Sequence, residues 1–274
     1  MEPGDGRVVL VVTAHADDLA LFLGGTVAAW VDAGWRVVAV RATDDRWDSL
    51  GLSEEETVAA NASEFRLAGE ILGVAELVEL GYPTDTLADV SEVALREKII
   101  REIRRFRPYA VVTFDPRSLY GEDNQDHVAV ARATDEACWA SQFDKHHPEH
   151  IAEGLAVHGV FERWYFAREV ERATHIVDIG AQLGRKVAAA VAHRTMMLNV
   201  LNQLRLQAQT GGWRIDAVDA ALGAGEPGPL VAELVGSLSA EVGRRHGLEA
   251  AEEFRVVRFG GLEGILEALG TRLP

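Results

Sequence analysis

Val8-Val9-Leu10-Val11-Val12-Thr13-Ala14-His15-Ala16-Asp17-Asp18 decides how this chain is read. An unbroken β-branched apolar run of strand length has no alternating polar face. It therefore reads as a strand buried on both sides, the kind found in parallel sheets covered by helices. Such sheets bind ligands beyond the carboxyl ends of their strands. His15, Asp17 and Asp18 stand at that edge, in the turn that leads into a helix built from Leu19 to Trp30, with Gly24 and Gly25 inside it. The plainer alternative is that one of the aspartates only caps this helix and His15 is a satisfied loop residue.

Outward from this junction, strand and helix patterns alternate over the first two thirds of the chain. That predicts an α/β fold, Rossmann-like, with a mainly parallel sheet flanked by helices. Val37, Val38 and Val40 mark a strand over 36–41, followed at the same edge by the polar loop Thr43-Asp44-Asp45-Arg46. Ser53 with Glu56 three residues on is a capping box that opens a helix over 53–72, and Gly73 is its stop. A third strand is expected over 75–80 with a turn over 81–85, then a basic helix over 91–105 with a solvated cationic face. An apolar fourth strand over 109–114 delivers a long polar loop from Asp115 to His127, ahead of a helix over 128–140.

Beyond residue 141 the pattern loosens. His146, His147 and His150 read as an exposed loop, strands are expected at 163–167 and 176–179, and one long helix over 181–208 contains His193. Turn residues crowd 209–229, a helix over 230–246 stops at Gly247, and regular structure ends at 254–259. No repeat or low-complexity linker divides the chain. One domain over 1–274 is the economical reading, with a core over about 1–180 and a helical C-terminal extension over about 181–274.

Charge and cysteine usage narrow the function classes. The 27 Lys and Arg against 43 Asp and Glu leave a net charge of −16, which repels phosphate backbones and anionic lipid, so neither nucleic acid nor membrane is an expected partner. The one cysteine, Cys138, has no partner for an intramolecular disulfide and sits between Ala137 and Trp139 in a helix-core pattern, which fits a reducing, cytoplasmic compartment. The first residues lack the charge, apolar core and cleavage pattern of a leader.

The chemistry gathers at two sheet-edge loops. Ligands at His15 and Asp18, three residues apart in a strand-to-helix turn, can face one point, and His127 from a second loop at the same edge can complete a three-ligand set. Three protein ligands with an open position is the arrangement of catalytic zinc, and a closed thiolate site is excluded by the cysteine count. Two histidines with one carboxylate favour zinc, although iron(II) uses the same set.

These residues resemble a known family. Ala14-His15-Ala16-Asp17-Asp18 with Gly24-Gly25-Thr26 is similar to the Ala-His-Pro-Asp-Asp and Gly-Gly-Thr motif of the LmbE-like or PIG-L zinc-dependent N-deacetylases. Asp115-Pro116 followed by Asp126-His127-Val128-Ala129 resembles that family's second motif. The likeness covers about residues 8–135, with a weaker echo at Lys186 to His193. It implies one zinc per chain on His15, Asp18 and His127, with Asp17 as general base. Metal-bound water would attack the amide carbonyl of an N-acetyl or similar N-acyl group on an amino-sugar substrate. It also implies that a homo-oligomer is to be expected.

Three departures stand out: Ala16 replaces proline, Leu19 replaces a glutamate, and Asn124 stands where many members carry a histidine near the oxyanion. An asparagine amide donates a hydrogen bond but is no proton acid, so either Asp17 makes both proton transfers or another group such as His193 enters. Asp126 is expected to orient its surroundings, and Tyr120 to close over the oxyanion. Asp44, Asp45, Arg46 and Asp85 are candidates for sugar hydroxyls, while Trp139 and Trp164 are expected in the core. Two other functions compete: a magnesium-dependent phosphoryl-transfer enzyme using Asp17, Asp18 and Asp44 or Asp45 as an acidic pocket, and a non-catalytic sugar-binding relative.

Overall fold

A strand with no polar side chains must be covered on both faces, and Val9 to Val12 are fully buried. In the computed structural model, which describes residues 2–118 and 121–271, that strand lies near the middle of the sheet. The N-terminal elements are β1 (Val8–Thr13), α1 (Asp18–Asp32), β2 (Arg36–Thr43), α2 (Glu54–Leu72), β3 (Glu76–Tyr82), α3 (Glu92–Phe106) and β4 (Ala110–Phe114). There follow α4 (Gln125–Ala140), α5 (Pro148–Ala152), β5 (Glu162–Phe166), β6 (His175–Asp178), α6 (Leu183–Ala192) and α7 (Arg194–Thr210). The chain ends with α8 (Asp216–Ala224), α9 (Gly228–Arg245), β7 (Ala251–Arg258) and α10 (Glu263–Leu269).

Seven strands form one sheet in the order β3-β2-β1-β4-β5-β7-β6. The first five are parallel, with Val9 opposite both Val37 and Ala110, and β7 runs antiparallel to β5 and to β6. Helices α1, α2, α6 and α9 pack together in one layer and α3 packs on α4 in another. This is the mainly parallel, helix-flanked α/β architecture expected. The C-terminal part is largely helical, and it also lends β7 to the sheet.

Local signals hold where they are strong. Ser53 and Glu56 make the reciprocal capping box, and Gly73 ends α2 at φ 82°, a left-handed position that suits a residue without a Cβ. The glycine pair in α1 has a further purpose. The helix kinks at Leu23, and the freed N–H groups of Gly25 and Thr26 donate to the Glu252 carboxylate of β7 at 3.0 and 2.7 Å. Lys186 of α6 closes this buried cluster at 2.6 Å from Glu252. A Cβ on Gly25 would stand 2.7 Å from Ile179, so only glycine allows the approach.

Other expectations need correcting. Gly81 and Tyr82 extend β3 and are not a turn. The expected helix over 181–208 breaks at His193, whose ψ of 55° separates α6 from α7, and α8 occupies part of the supposed turn region. Helix α4 starts at Gln125, three residues early, because the Asn124 side chain caps it by accepting N–H bonds from Asp126 and His127 at 2.8 and 3.4 Å. Trp164 is buried as expected, but Trp139 is 49% exposed and lies against Phe143 with the two rings tilted. The cationic face of α3 is not all solvated. Arg104 turns inward to donate to the carbonyls of Ser141, Phe143, His146 and His147, and His150 is buried against it and Glu97.

Candidate active site

Strand order reverses between β1 and β4, and a crevice at the carboxyl ends of such strands is where α/β sheets bind ligands. The β1–α1 turn enters it in a conformation held from several sides. Asp18 opens α1 and folds back so that its Oδ2 accepts the N–H of Ala14 at 3.1 Å and of His15 at 2.8 Å. Thr43 Oγ1 donates to the Ala14 carbonyl at 2.8 Å, and Asp45 accepts the Ala16 N–H at 3.1 Å. Opposite, α4 presents His127 from its first turn, stacked on the Phe114 ring at 4.0 Å between centroids.

The three expected ligands converge. His15 Nδ1 lies 3.1 Å from His127 Nε2, which lies 3.3 Å from Asp18 Oδ1, and His15 Nδ1 lies 3.7 Å from Asp18 Oδ2. All three side chains are buried. Tetrahedral zinc with bonds of about 2.0–2.1 Å sets ligand atoms about 3.3 Å apart, so this donor set fits one small divalent cation. Each imidazole also has a carboxylate behind it. Glu122 sits 2.9 Å from His127 Nδ1, and Asp126 lies 3.5 Å from His15 Nε2 while accepting the N–H groups of Asp85 and Leu87 at 2.6 and 3.0 Å. Carboxylates in that position orient ligand histidines and raise their basicity.

Electrostatics agree with this division of labour. Burial alone would discharge His15, but the Asp126 contact and the charges of Asp18, Asp45 and Asp17 outweigh it and lift its pKa to about 10. His127 rises to about 9, burial again being outweighed by Asp18 and Glu122. Burial likewise opposes the charged form of Asp18, yet the two histidines hold its pKa low. His15 Nδ1 and His127 Nε2 face each other at 3.1 Å, an arrangement in which a cation would take the place of protons. Asp17 behaves differently. Burial, then repulsion from Asp18, pushes its pKa up to about 7, the range where a carboxylate serves as an acid and a base in turn.

Asp17, Asp18, His15 and His127 line a cavity of about 440 Å³ together with Asp48 and Asn124. Gln203 and Gln207 of α7 form its far wall. Asn124 Oδ1 is committed to the helix cap, which leaves its amide NH2 as a donor. Other expected residues are placed elsewhere. Asp44 pairs with Arg46 at 2.9 Å, and Asp85 contributes its backbone N–H to Asp126. Asp45 is fully buried against Arg41 and Thr43. None of these four lines the cavity. His193 is buried with neither ring nitrogen bonded, and burial with the nearby Arg41 charge lowers its pKa to about 4. Tyr120 lies outside the described residues. Sequence reasoning missed Glu122 and Asp48. Glu122, five residues before His127 in the same polar loop, was the findable one.

Comparison with known proteins bears on the same residues. A family model described as PIG-L, GlcNAc-PI de-N-acetylase, matches residues 10–138, a span that contains all three ligand positions and Asp17. Over that span the chain is similar to the PIG-L family. A diacetylchitobiose deacetylase from Thermococcus kodakarensis is 28% identical over 193 residues, covering 70% of each chain. A 1D-myo-inositol 2-acetamido-2-deoxy-alpha-D-glucopyranoside deacetylase from a Mycobacterium species is 28% identical over 234 residues, 69% of this chain and 74% of that one. Among solved structures, N,N'-diacetylchitobiose deacetylase from Pyrococcus horikoshii superposes with a TM-score of 0.74 at 21% identity, covering 97% of this chain and 87% of that one, a likeness of fold. The family model and both relatives are named for de-N-acetylation. Among the described residues no helix is long and apolar enough to cross a membrane.

Proposed function

We propose that this protein removes an acyl group from the nitrogen of a small amino-sugar-containing molecule, using one zinc ion held by His15, Asp18 and His127 and Asp17 as general base. The observation that carries the reading is the convergence of those three ligand atoms within 3.1–3.7 Å, with Asp17 beside them on the wall of one cavity. Two imidazoles with one carboxylate favour zinc over magnesium, whose ligands are oxygens, and so count against phosphoryl transfer. The bound cation supplies Lewis acidity, lowering the pKa of a water and polarising the amide carbonyl.

The protein's own groups do the rest. Asp17 takes the proton from the attacking water as its oxygen bonds to the carbonyl carbon. The Asn124 amide donates toward the oxygen on which charge develops. When the C–N bond breaks, Asp17 returns its proton to the leaving nitrogen, which releases a carboxylate and a free amine. A pKa near 7 suits both halves of that cycle, whereas His193 is buried and is not among the residues lining the cavity. Asp48, Gln203 and Gln207 offer acceptors and donors to sugar hydroxyls. The two deacetylases with which the chain aligns are named for N-acetylated amino-sugar substrates, which supports this substrate class. The lone buried Cys138 supports a reducing, cytoplasmic setting.

Amine release from N-acetylglucosamine conjugates by the zinc-loaded chain tests the reading. Turnover that disappears in Asp17→Asn is expected. A zinc-loaded chain that releases no amine, or an Asp17→Asn variant at full rate, would overturn it.

A further inference from the structure

The cavity that contains Asp17 does not end at α1. Leu21, Phe22 and Arg168 also wall a second cavity of about 490 Å³, which continues along the carboxyl edge of the sheet between α1, the end of β5 and α9. That volume is within the range of about 300–1,000 Å³ typical of ligand pockets. The two wings differ in chemistry. The wing beside Asn124 carries Asp48, Gln203 and Gln207, all suited to hydroxyl groups. The other is lined by Leu21, Phe22, Phe166, Val170, Val235 and Leu238.

Apart from Glu241, which is exposed to solvent, the charged groups in the apolar wing are already paired. Lys186 is 2.6 Å from Glu252, whose carboxylate also takes the Gly25 and Thr26 N–H groups. Arg245 is 3.2 Å from Glu253, and Arg168 lies 3.4 Å from Glu122. That leaves Ser239 and Glu241 as the wing's free polar side chains, while Leu238 stands 63% exposed at the rim, a position that gains from being covered by apolar matter.

A scissile amide has two sides, and this groove has two wings that meet at Leu21, Phe22 and Arg168, with Asp17 on the wall of the first. Resting on the amide-hydrolase reading for its orientation, we propose that the polar wing takes the amine-side sugar and the apolar wing takes the acyl side. The substrate's acyl group is thus an alkyl chain longer than acetyl. Hydrolysis is balanced as before: water adds to the carbonyl, the C–N bond breaks, and the products are a fatty carboxylate and the free amino sugar.

Calorimetric binding of N-acetyl-, N-butyryl-, N-hexanoyl- and N-octanoylglucosamine to the zinc-loaded, full-length Asp17→Asn chain tests this without relying on turnover. Each added methylene is expected to tighten binding by about two- to fourfold until the groove is filled. Leu238→Asp, a rim substitution that leaves the fold intact, is expected to collapse the octanoyl-to-acetyl affinity ratio toward one. Affinity that is flat or falling with acyl length overturns the proposal, as does a ratio untouched by Leu238→Asp. Tighter binding of octyl N-acetylglucosaminide, with the same alkyl chain on the sugar oxygen, than of N-octanoylglucosamine also overturns it, by placing an aglycone in the groove. The same series with the native zinc-loaded chain separates the two readings. A chain-length preference in binding with no hydrolysis of any member upholds the groove and defeats the hydrolase. Hydrolysis of the acetyl compound with no binding preference does the reverse.

Discussion

The β1–α1 junction places two proposed ligands and the proposed base on four consecutive residues, whereas the β4–α4 junction supplies one proposed ligand at the end of a long polar loop. The first is rigid by local bonding: Asp18 accepts two backbone N–H groups of its own turn, and buried Asp45 accepts a third. The second is held by a cap and an orienting carboxylate, Asn124 and Glu122, neither of which is a ligand. The contrast separates two kinds of residue within one site, those that meet the reacting atoms and those that aim them.

The largest expected effect tests the first kind. Asp17→Asn should lower kcat by about 10²–10⁴-fold while zinc content, measured by mass spectrometry, stays at the native level. A parallel loss of zinc would put Asp17 among the ligands and erase the distinction. Glu122→Gln tests the second kind. Chelator competition should show zinc affinity about 10–100-fold weaker, with the residual turnover restored at saturating zinc. An unchanged affinity would make the His127 contact incidental.

A third comparison concerns pH. In the metal-free chain the folded state favours protonated His15 and His127. That stabilising contribution is therefore complete below the unfolded-state value of about 6.5. It drains away as pH rises through the folded values of about 9 and about 10. Zinc replaces those protons, so urea unfolding should show metal-free stability falling above pH 6.5 and zinc-loaded stability falling far less. Parallel curves would contradict the assignment. The smallest effect on stability should come from Asn124→Ala, which loses a helix cap worth about 1 kcal/mol and shifts the urea midpoint modestly, while the loss of its amide donor also lowers turnover.

The same contrast explains what could be read in the sequence. The strand Val8–Thr13, the capping box at Ser53 and the stop at Gly73 depend on neighbours close in the chain, and each stands where it was expected. The start of α4 did not, because a polar run from Asp115 to Asn124 looks the same whether Asn124 is loop or cap. Asp45 illustrates a further limit. A polar residue at a sheet edge can face a ligand or hold the loop that faces it, and only the tertiary contact with Arg41 and the Ala16 N–H decides. His193 and the partnership of Lys186 with Glu252 depend on α6 and β7 meeting α1, contacts with no trace in local periodicity.

Zinc stoichiometry in the native chain and in the His15→Ala and His127→Ala variants, read alongside circular dichroism, tests the central claim most directly. One zinc per native chain, lost in both variants while the fold persists, is the predicted result. A folded native chain that takes up no zinc, or variants that keep it, would contradict the account.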